Sequence, residues 1–218
     1  MSTIAKGIAT ALSIALAGML PLLGLFVTIH SSTDLSGDEV PVSLVSDLDA
    51  PPPFSLDTVS DDVLWMARCI YSETKRADEQ ELVAWVLRNR VETGYRGVHT
   101  YEGVVLDPYQ FSAFNPGNPK RRLYTSLAPS PDSPAFVQAL EVAHAVYHAP
   151  ASSRPFSRKT RHFYSERSMV GGQAPNWSNG HVPVNPTGFR VDPKRFRFYS
   201  GVAAPLPAAV PAAAGLVL

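Results

Sequence analysis

SDDVLWMARCIYSETKRADEQELVAWVLRNRVE, residues 60–92, contains two successive helical patterns separated by a short polar turn. In the first pattern, apolar residues recur at the i, i+3, i+4, i+7 and i+8 spacing of one helix face, at Val63, Met66, Ala67, Ile70 and Tyr71. Ser60 is a suitable N-cap, and two aspartates follow it at the positive end of the helix dipole. The stretch predicts one helix that begins after Ser60 and a second from about Asp78 to Glu92.

A third helix is predicted further along the chain, where Ser133 offers an N-cap and Pro134 occupies the first helical position. Its apolar face consists of Phe136, Ala139, Leu140, Ala143 and Tyr147. The segments between and after the helices are rich in proline, glycine and aromatic residues, and no alternating series typical of a strand stands out. We therefore expect a mainly α domain, with α+β as the alternative, in which long aromatic loops border a groove.

The N-terminus carries the strongest compositional signal. No charged residue occurs in residues 7–29, a stretch long enough to span a bilayer with some tilt. We expect residues 1–30 to form an uncleaved signal-anchor or transmembrane helix, with a cleaved export signal and a secreted protein as the alternative. The expected location is the cell envelope, with the protein anchored in the membrane and its catalytic domain outside the cytoplasm.

Composition divides the rest of the chain into three parts. Residues 31–55 carry serine, aspartate and a run of three prolines, which predicts a flexible linker. Residues 56–201 contain the predicted helices and form the expected catalytic domain. Residues 202–218 are mostly alanine, proline and valine, which predicts a disordered tail.

Charge and cysteine content exclude several classes of function. Lys+Arg and Asp+Glu number 19 each, so no overall field draws the chain to nucleic acid, and we expect no such partner. Cys69 is the single cysteine, which rules out an intrachain disulfide, two-cysteine redox chemistry and a multi-cysteine zinc site.

Glu73 falls at the edge of the apolar stripe, at the end of the first predicted helix. This position is compatible with an ordinary carboxylate of Glu73 that is exposed to solvent. It also allows a partly desolvated carboxyl group, whose raised pKa would suit the acid of a glycosidase, because that acid must be protonated near neutral pH.

Five segments around Glu73 occur in a familiar order: Cys69–Glu73, Glu81–Val91, Tyr109–Phe114, Thr160–Tyr164 and Pro175–Trp177. The series resembles the SleB-type cell-wall hydrolases, the family of spore-cortex-lytic enzymes, over roughly residues 61–188. In that family a Glu in an I-Y-x-E setting precedes V-x-N-R-V, Q-F-S-x-F, T-H-Y/F-Y and P-x-W segments. This chain departs from the pattern at Thr74–Asp78, which replaces Ala-Arg-Gly-Glu-Pro, and at Arg161, which separates the Thr and His of the fourth segment.

The resemblance implies a lysozyme-like domain that cleaves peptidoglycan between N-acetylmuramic acid and N-acetylglucosamine, with Glu73 as the catalytic acid/base. Members of the family are often lytic transglycosylases, and no other carboxylate of the domain lies in a motif that marks it as a partner. A muramidase with a second carboxylate stays an alternative. We expect no metal or cofactor, and a monomer.

The same segments supply the expected substrate-binding residues: Tyr71, Gln110, Phe111, Ser112, His162, Tyr164 and Trp177. An amide can bond to sugar hydroxyl or acetamido groups, while an aromatic ring covers the apolar sugar face. Phe111 can equally be a core residue and His162 a structural one. For Asn89, on the apolar side of the second helix, we expect a structural hydrogen bond.

Two other functional classes remain open. A non-catalytic, membrane-tethered peptidoglycan-binding protein would keep the aromatic groove without needing Glu73. A zinc-dependent amidase could use His144 and His148, whose spacing of four places both on one flank of the third helix. No Glu lies between these histidines in the arrangement of zinc proteases.

Overall fold

Helices form the first part of the domain and a small sheet forms the last part in the computed structural model, which describes residues 51–204. The helices are α1 (Asp61–Glu73), α2 (Ala77–Glu92), α3 (Tyr101–Leu106), α4 (Arg121–Thr125) and α5 (Pro134–His148). The strands are β1 (Thr160–Tyr164), β2 (Pro183–Val184) and β3 (Arg197–Ser200). The fold is therefore a mixed α+β one, which was the alternative to the mainly α arrangement.

Helix α1 begins and ends where its sequence predicts. The Ser60 hydroxyl accepts a hydrogen bond from the Val63 amide at 3.4 Å, which caps the first turn. Thr74 leaves the helix in an extended conformation, and its amide donates to the Ile70 carbonyl at 3.1 Å. Glu73 is consequently the last residue of α1, at the point where the chain turns away.

Helix α1 packs against both α2 and α5, and the core lies between these three helices and the sheet. Helix α5 starts at Pro134 as predicted, although the Ser133 side chain makes no capping bond. The largest fully buried side chains are Trp85, Phe111, Phe114, Phe136 and Phe198. Each buried side chain of this size stabilises the fold by about 2–3 kcal/mol, so this core sets a rigid frame for the loops around it.

The sheet has the order β1-β3-β2, and both neighbouring pairs are antiparallel. The sequence showed no alternating series for these strands, although α+β was kept as the alternative. Strand β2 has two residues and β3 has four, which is too short for an alternating pattern to be recognised. Strand β3 pairs with β1, which lies far earlier in the sequence, so the sheet depends on contacts that no local pattern shows.

Strand β1 contains an irregularity at Arg161. Thr160 pairs with Ser200 and His162 pairs with Tyr199, so two steps along β1 match one step along β3. Arg161 is thus an extra residue in a β-bulge. The residue that separates Thr and His in the fourth motif is accommodated locally, and the regular pairing resumes at His162.

Asn89 joins α2 to the beginning of β1. Its side chain is fully buried, and its Nδ2 donates to the carbonyl oxygens of Thr160 at 2.8 Å and Ser157 at 3.2 Å. The next residue, Arg90, donates from Nε to the Arg161 carbonyl at 2.7 Å. The structural hydrogen bond expected of Asn89 is confirmed, and it fixes the strand relative to the end of α2.

Several predictions lie outside the described residues. These are the membrane helix of residues 1–30, the linker up to residue 50 and the tail from residue 205. Within residues 51–204, no helix is long and apolar enough to cross a membrane.

Candidate active site

Two adjoining grooves lie beside the end of α1 and the face of β1. The first is called the Glu73 groove and has a volume of about 310 Å³. It is lined by several residues that do not line the second groove: Glu73, Ser112, Asn115, Tyr164 and Met169. The second, here the Trp177 groove, has a volume of about 440 Å³, and residues found only there include Tyr95, His162 and Trp177. Four residues border both grooves: Arg90, Tyr109, Gln110 and Phe163. The grooves therefore adjoin along these four residues, and together they are called the cleft below.

Glu73 offers a carboxyl group whose proton is held unusually tightly. The side chain is half-buried and makes no hydrogen bond or salt bridge to any residue between 51 and 204. Burial raises its pKa to about 7, against the opposing effect of the Arg90 charge, which lowers it. Near neutral pH the group is therefore divided between its protonated and ionised forms, as an acid/base catalyst requires.

The turn after Glu73 is held by a buried carboxylate, Glu79. The Thr74 hydroxyl donates to Glu79 at 2.6 Å, and Arg195 donates to both carboxylate oxygens, at 2.5 and 2.7 Å. Burial alone would raise the pKa of Glu79, but the bonds from Arg195 and Thr74 hold it below its usual value. The turn that departs from the family pattern thus has its own network, which fixes the end of α1.

Gln110 and Ser112 lie in the loop between α3 and α4, and both border the Glu73 groove, as the prediction for them requires. Tyr109, just before them, was not predicted. It is 80 % exposed and has a φ of 65°, in the left-handed region that a residue with a Cβ rarely adopts. Its amide donates to the Asn115 side chain at 2.9 Å, so a neighbouring residue stabilises this strained backbone.

His162 and Tyr164 project from one face of β1 toward Trp177. The His162 Nε2 lies 2.9 Å from the Tyr95 hydroxyl, and the imidazole ring lies 5.1 Å from the Trp177 ring. Burial, helped by the charges of Arg90 and Arg161, lowers the pKa of His162 to about 3. At neutral pH the imidazole is therefore uncharged and acts as a hydrogen-bonding group.

The remaining two predicted binding residues do not border either groove. Phe111 is 2 % exposed and packs in the core against Phe163, with ring centroids 6.3 Å apart. Tyr71 precedes Glu73 by two residues, so it points roughly 200° away around α1 and packs against Phe136. Direct substrate contact by Phe111 is corrected accordingly, because its side chain is buried in the core. Tyr71 is half-buried, and its contact with substrate stays a prediction.

Arg90 is the functional candidate that sequence reasoning missed. It lies inside the V-x-N-R-V segment, but its side chain is only 4 % exposed and borders both grooves. A charged residue inside the apolar pattern of α2 is the signal that could have identified it, because a buried charge without a role is costly.

The other carboxylates near the cleft are engaged in ion pairs. Asp107 lies 2.6 Å from Arg96, Glu166 lies 2.6 Å from Arg197, and Glu79 is bound by Arg195. Among the described residues that border the two grooves, Glu73 is the only one with a carboxyl group. A pair of carboxylates flanking one bond is therefore not found in this cleft.

His144 and His148 lie side by side on α5 with ring centroids 4.5 Å apart, as their spacing predicts. Within residues 51–204, no third histidine, cysteine, aspartate or glutamate joins them to form a group that could hold a metal ion. The zinc-amidase alternative therefore lacks a complete set of ligands in the described part of the chain.

Comparisons of the chain with models of protein families, with curated proteins and with solved structures give no match. The class of protein must therefore be argued from the cleft, in which one protonatable carboxyl group lies among amide, hydroxyl and aromatic side chains. The resemblance to the SleB-type hydrolases stays a prediction from the motifs.

Proposed function

We propose that this protein cleaves the glycan strands of peptidoglycan between N-acetylmuramic acid and N-acetylglucosamine, as a lytic transglycosylase with a single acid/base. The observation that carries the proposal is Glu73, whose pKa is raised to about 7 in a cleft where no other described residue of the lining has a carboxyl group. A lysozyme-like arrangement and membership of the SleB-type family belong to the same proposal and rest on the ordered motifs.

In the first step Glu73 acts as an acid. Its protonated carboxyl group donates to the oxygen of the glycosidic bond while the bond from that oxygen to C1 of muramic acid breaks. The N-acetylglucosamine side leaves as an alcohol, and positive charge develops at C1. Once Glu73 has given up its proton, the positive charge of Arg90 stabilises the carboxylate that remains, and this favours the step.

In the second step the Glu73 carboxylate acts as a base. It removes the proton from the 6-hydroxyl of the same muramic acid, and that oxygen forms a bond to C1. The product is a 1,6-anhydro end, and Glu73 is protonated again for the next cycle. No water is consumed, so no second carboxylate is needed to activate one, which agrees with the ion pairs that occupy Asp107, Glu79 and Glu166.

The walls of the cleft suit a sugar chain. Gln110 and Ser112 can form hydrogen bonds with hydroxyl and acetamido groups, while the rings of Tyr109 and Trp177 can cover apolar sugar faces. The charge-free residues 7–29 support a further part of the proposal, in which the enzyme is held at the membrane and works in the cell envelope.

The test is the release of soluble fragments from dye-labelled sacculi. Glu73→Gln should abolish release, because an amide cannot donate the proton. Glu81→Gln is the matched control: Glu81 is also half-buried with a raised pKa caused by burial, but it lies in a separate cavity between α2 and α5. Full activity of Glu73→Gln would refute the assignment. Binding of sacculi without any turnover by the wild type would indicate the non-catalytic wall-binding protein instead.

A further inference from the structure

Arg90 carries a buried positive charge that forms an ion pair with no acidic side chain of residues 51–204. Its Nε donates to the Arg161 carbonyl at 2.7 Å, whereas its terminal nitrogens donate to no residue between 51 and 204, and Nη1 is fully shielded from solvent. It forms no salt bridge within that part of the chain, and burial lowers its pKa to about 10. A buried cation left in this state is strongly destabilising unless a partner arrives.

Unpaired hydrogen-bonding atoms collect around this charge. The Tyr95 ring lies between two guanidinium groups, at 5.3 Å from that of Arg90 and 4.8 Å from that of Arg161. Arg161 Nε and His162 Nδ1 are buried, and neither has a hydrogen-bond partner in the described chain. Because Tyr95 occupies His162 Nε2, the free Nδ1 carries the proton whenever the tyrosine donates that bond.

The nearest carboxylates do not compensate for Arg90. Asp107 is bound to Arg96 at 2.6 Å. Glu73 makes no salt bridge with Arg90, and the acid step of the proposed function begins with Glu73 protonated and therefore neutral. Because Arg90 borders both grooves, a ligand in the cleft can lie against its side chain.

We propose that Arg90, at the junction of the Glu73 groove and the Trp177 groove, is the subsite for a carboxylate carried by the ligand. The inference rests on the proposed function, and it narrows the substrate class to glycans that bear a carboxylate close to the bond to be cleaved. In peptidoglycan that group is either the lactyl carboxylate of a stem-free muramic acid or a carboxylate of its peptide stem. Gln110 and neutral His162 lie beside Arg90 and supply the uncharged part of the site.

A carboxylate at this position forms charge-assisted hydrogen bonds away from bulk water, where they are strong. A single hydrogen bond to a charged group changes affinity by about 10- to 100-fold. The subsite therefore favours a glycan with the carboxylate over the same length of chain without it by about that factor.

The experiment measures binding to the full-length Glu73→Gln protein, in which turnover is blocked. The three probes are stem-free glycan oligosaccharides with lactyl carboxylates, glycan oligosaccharides with intact peptide stems, and N-acetylglucosamine oligomers of equal length, which have no carboxylate. Tighter binding of either or both carboxylated probes supports the subsite, and the preferred probe identifies the source of the carboxylate. Equal affinity for all three probes overturns the subsite but leaves the proposed function standing. Failure to bind any of them overturns both.

A second comparison locates the effect. Arg90→Gln, in the same Glu73→Gln background, should lose the preference for carboxylated probes while binding the neutral oligomers as before. Arg190→Gln removes the same charge from an exposed position outside both grooves and should keep the preference. If Arg90→Gln retains the preference, the assignment is wrong. If that variant does not fold, the comparison of probes on the protein with Arg90 intact still decides the question.

Discussion

Replacement of Glu73 by glutamine should make the protein more stable, and the gain should depend on pH. The folded pKa of Glu73 is about 7, whereas its ordinary value is 4.5. Between these values the folded state binds more protons than the unfolded state, so the stability of the wild type falls as the pH rises through this window. Above it the full cost of the buried charge is present, and Glu73→Gln removes that cost.

The magnitude follows from the same pKa values. The difference between 4.5 and about 7, at about 1.4 kcal/mol per pH unit, corresponds to an upper limit of about 3.5 kcal/mol. Solvent reaches part of the side chain, which screens the charge, so we expect the variant to be more stable by about 2 kcal/mol at a pH above 7. Near pH 4.5 both proteins carry a neutral group, and their stabilities should be nearly equal.

Urea denaturation followed by tryptophan fluorescence measures this difference, with both proteins examined above pH 7 and again near pH 4.5. The result that refutes the reasoning is an equal free energy of unfolding for the two proteins above pH 7, or a loss of stability in the variant. Either outcome would mean that the Glu73 carboxylate is well solvated or has a partner, and its use as an acid near neutral pH would lose its physical basis.

Four further outcomes are expected. Activity on sacculi should fall as the pH rises above about 7. In Arg90→Gln this fall should move to higher pH, because the Arg90 charge lowers the pKa of Glu73. An unchanged pH profile would contradict this effect of Arg90 on Glu73. Glu79→Gln should destabilise the protein by about 2 kcal/mol above pH 5, as measured by denaturation, since it breaks the charged pair with Arg195. Tyr109→Ala should raise KM by about 10-fold with little change in kcat, and Tyr109→Phe should restore the wild-type KM; a loss confined to kcat would argue against stacking. Asn89→Ala should lower the free energy of unfolding by about 2 kcal/mol, because the carbonyl oxygens that it binds are left unpaired.

Local patterns were sufficient for the helices and insufficient for the sheet. The cap at Ser60 and the proline at Pro134 predicted the starts of α1 and α5, because capping depends on a few neighbouring residues. The strands depend on pairing between segments far apart in the sequence. The longest one, β1, alternates in burial but not in polarity, because its buried positions include Thr160 and His162. The sequence therefore predicted a mainly α domain, with α+β only as the alternative.

The residues of the cleft, like the fold, could be predicted from the sequence only in part. Gln110, Ser112 and Trp177, which the motif order predicted as substrate-binding residues, lie at the walls of the cleft. The motif order could not separate residues of one motif that point in opposite directions, so Phe111, which packs in the core, was grouped with its neighbours. The charge of Arg90 is known to be unpaired within residues 51–204 only because the nearby carboxylates have other partners. The sequence does not show those partners.

The most direct test of the central claim is mass spectrometry of the fragments that the wild type and Glu73→Gln release from purified sacculi in water labelled with heavy oxygen. The account predicts that the wild type produces 1,6-anhydro muramic acid ends that carry no heavy oxygen, because the 6-hydroxyl and not water closes on C1. It also predicts that Glu73→Gln produces no fragments. Reducing ends that carry heavy oxygen, or fragments released by Glu73→Gln at the wild-type rate, would contradict it.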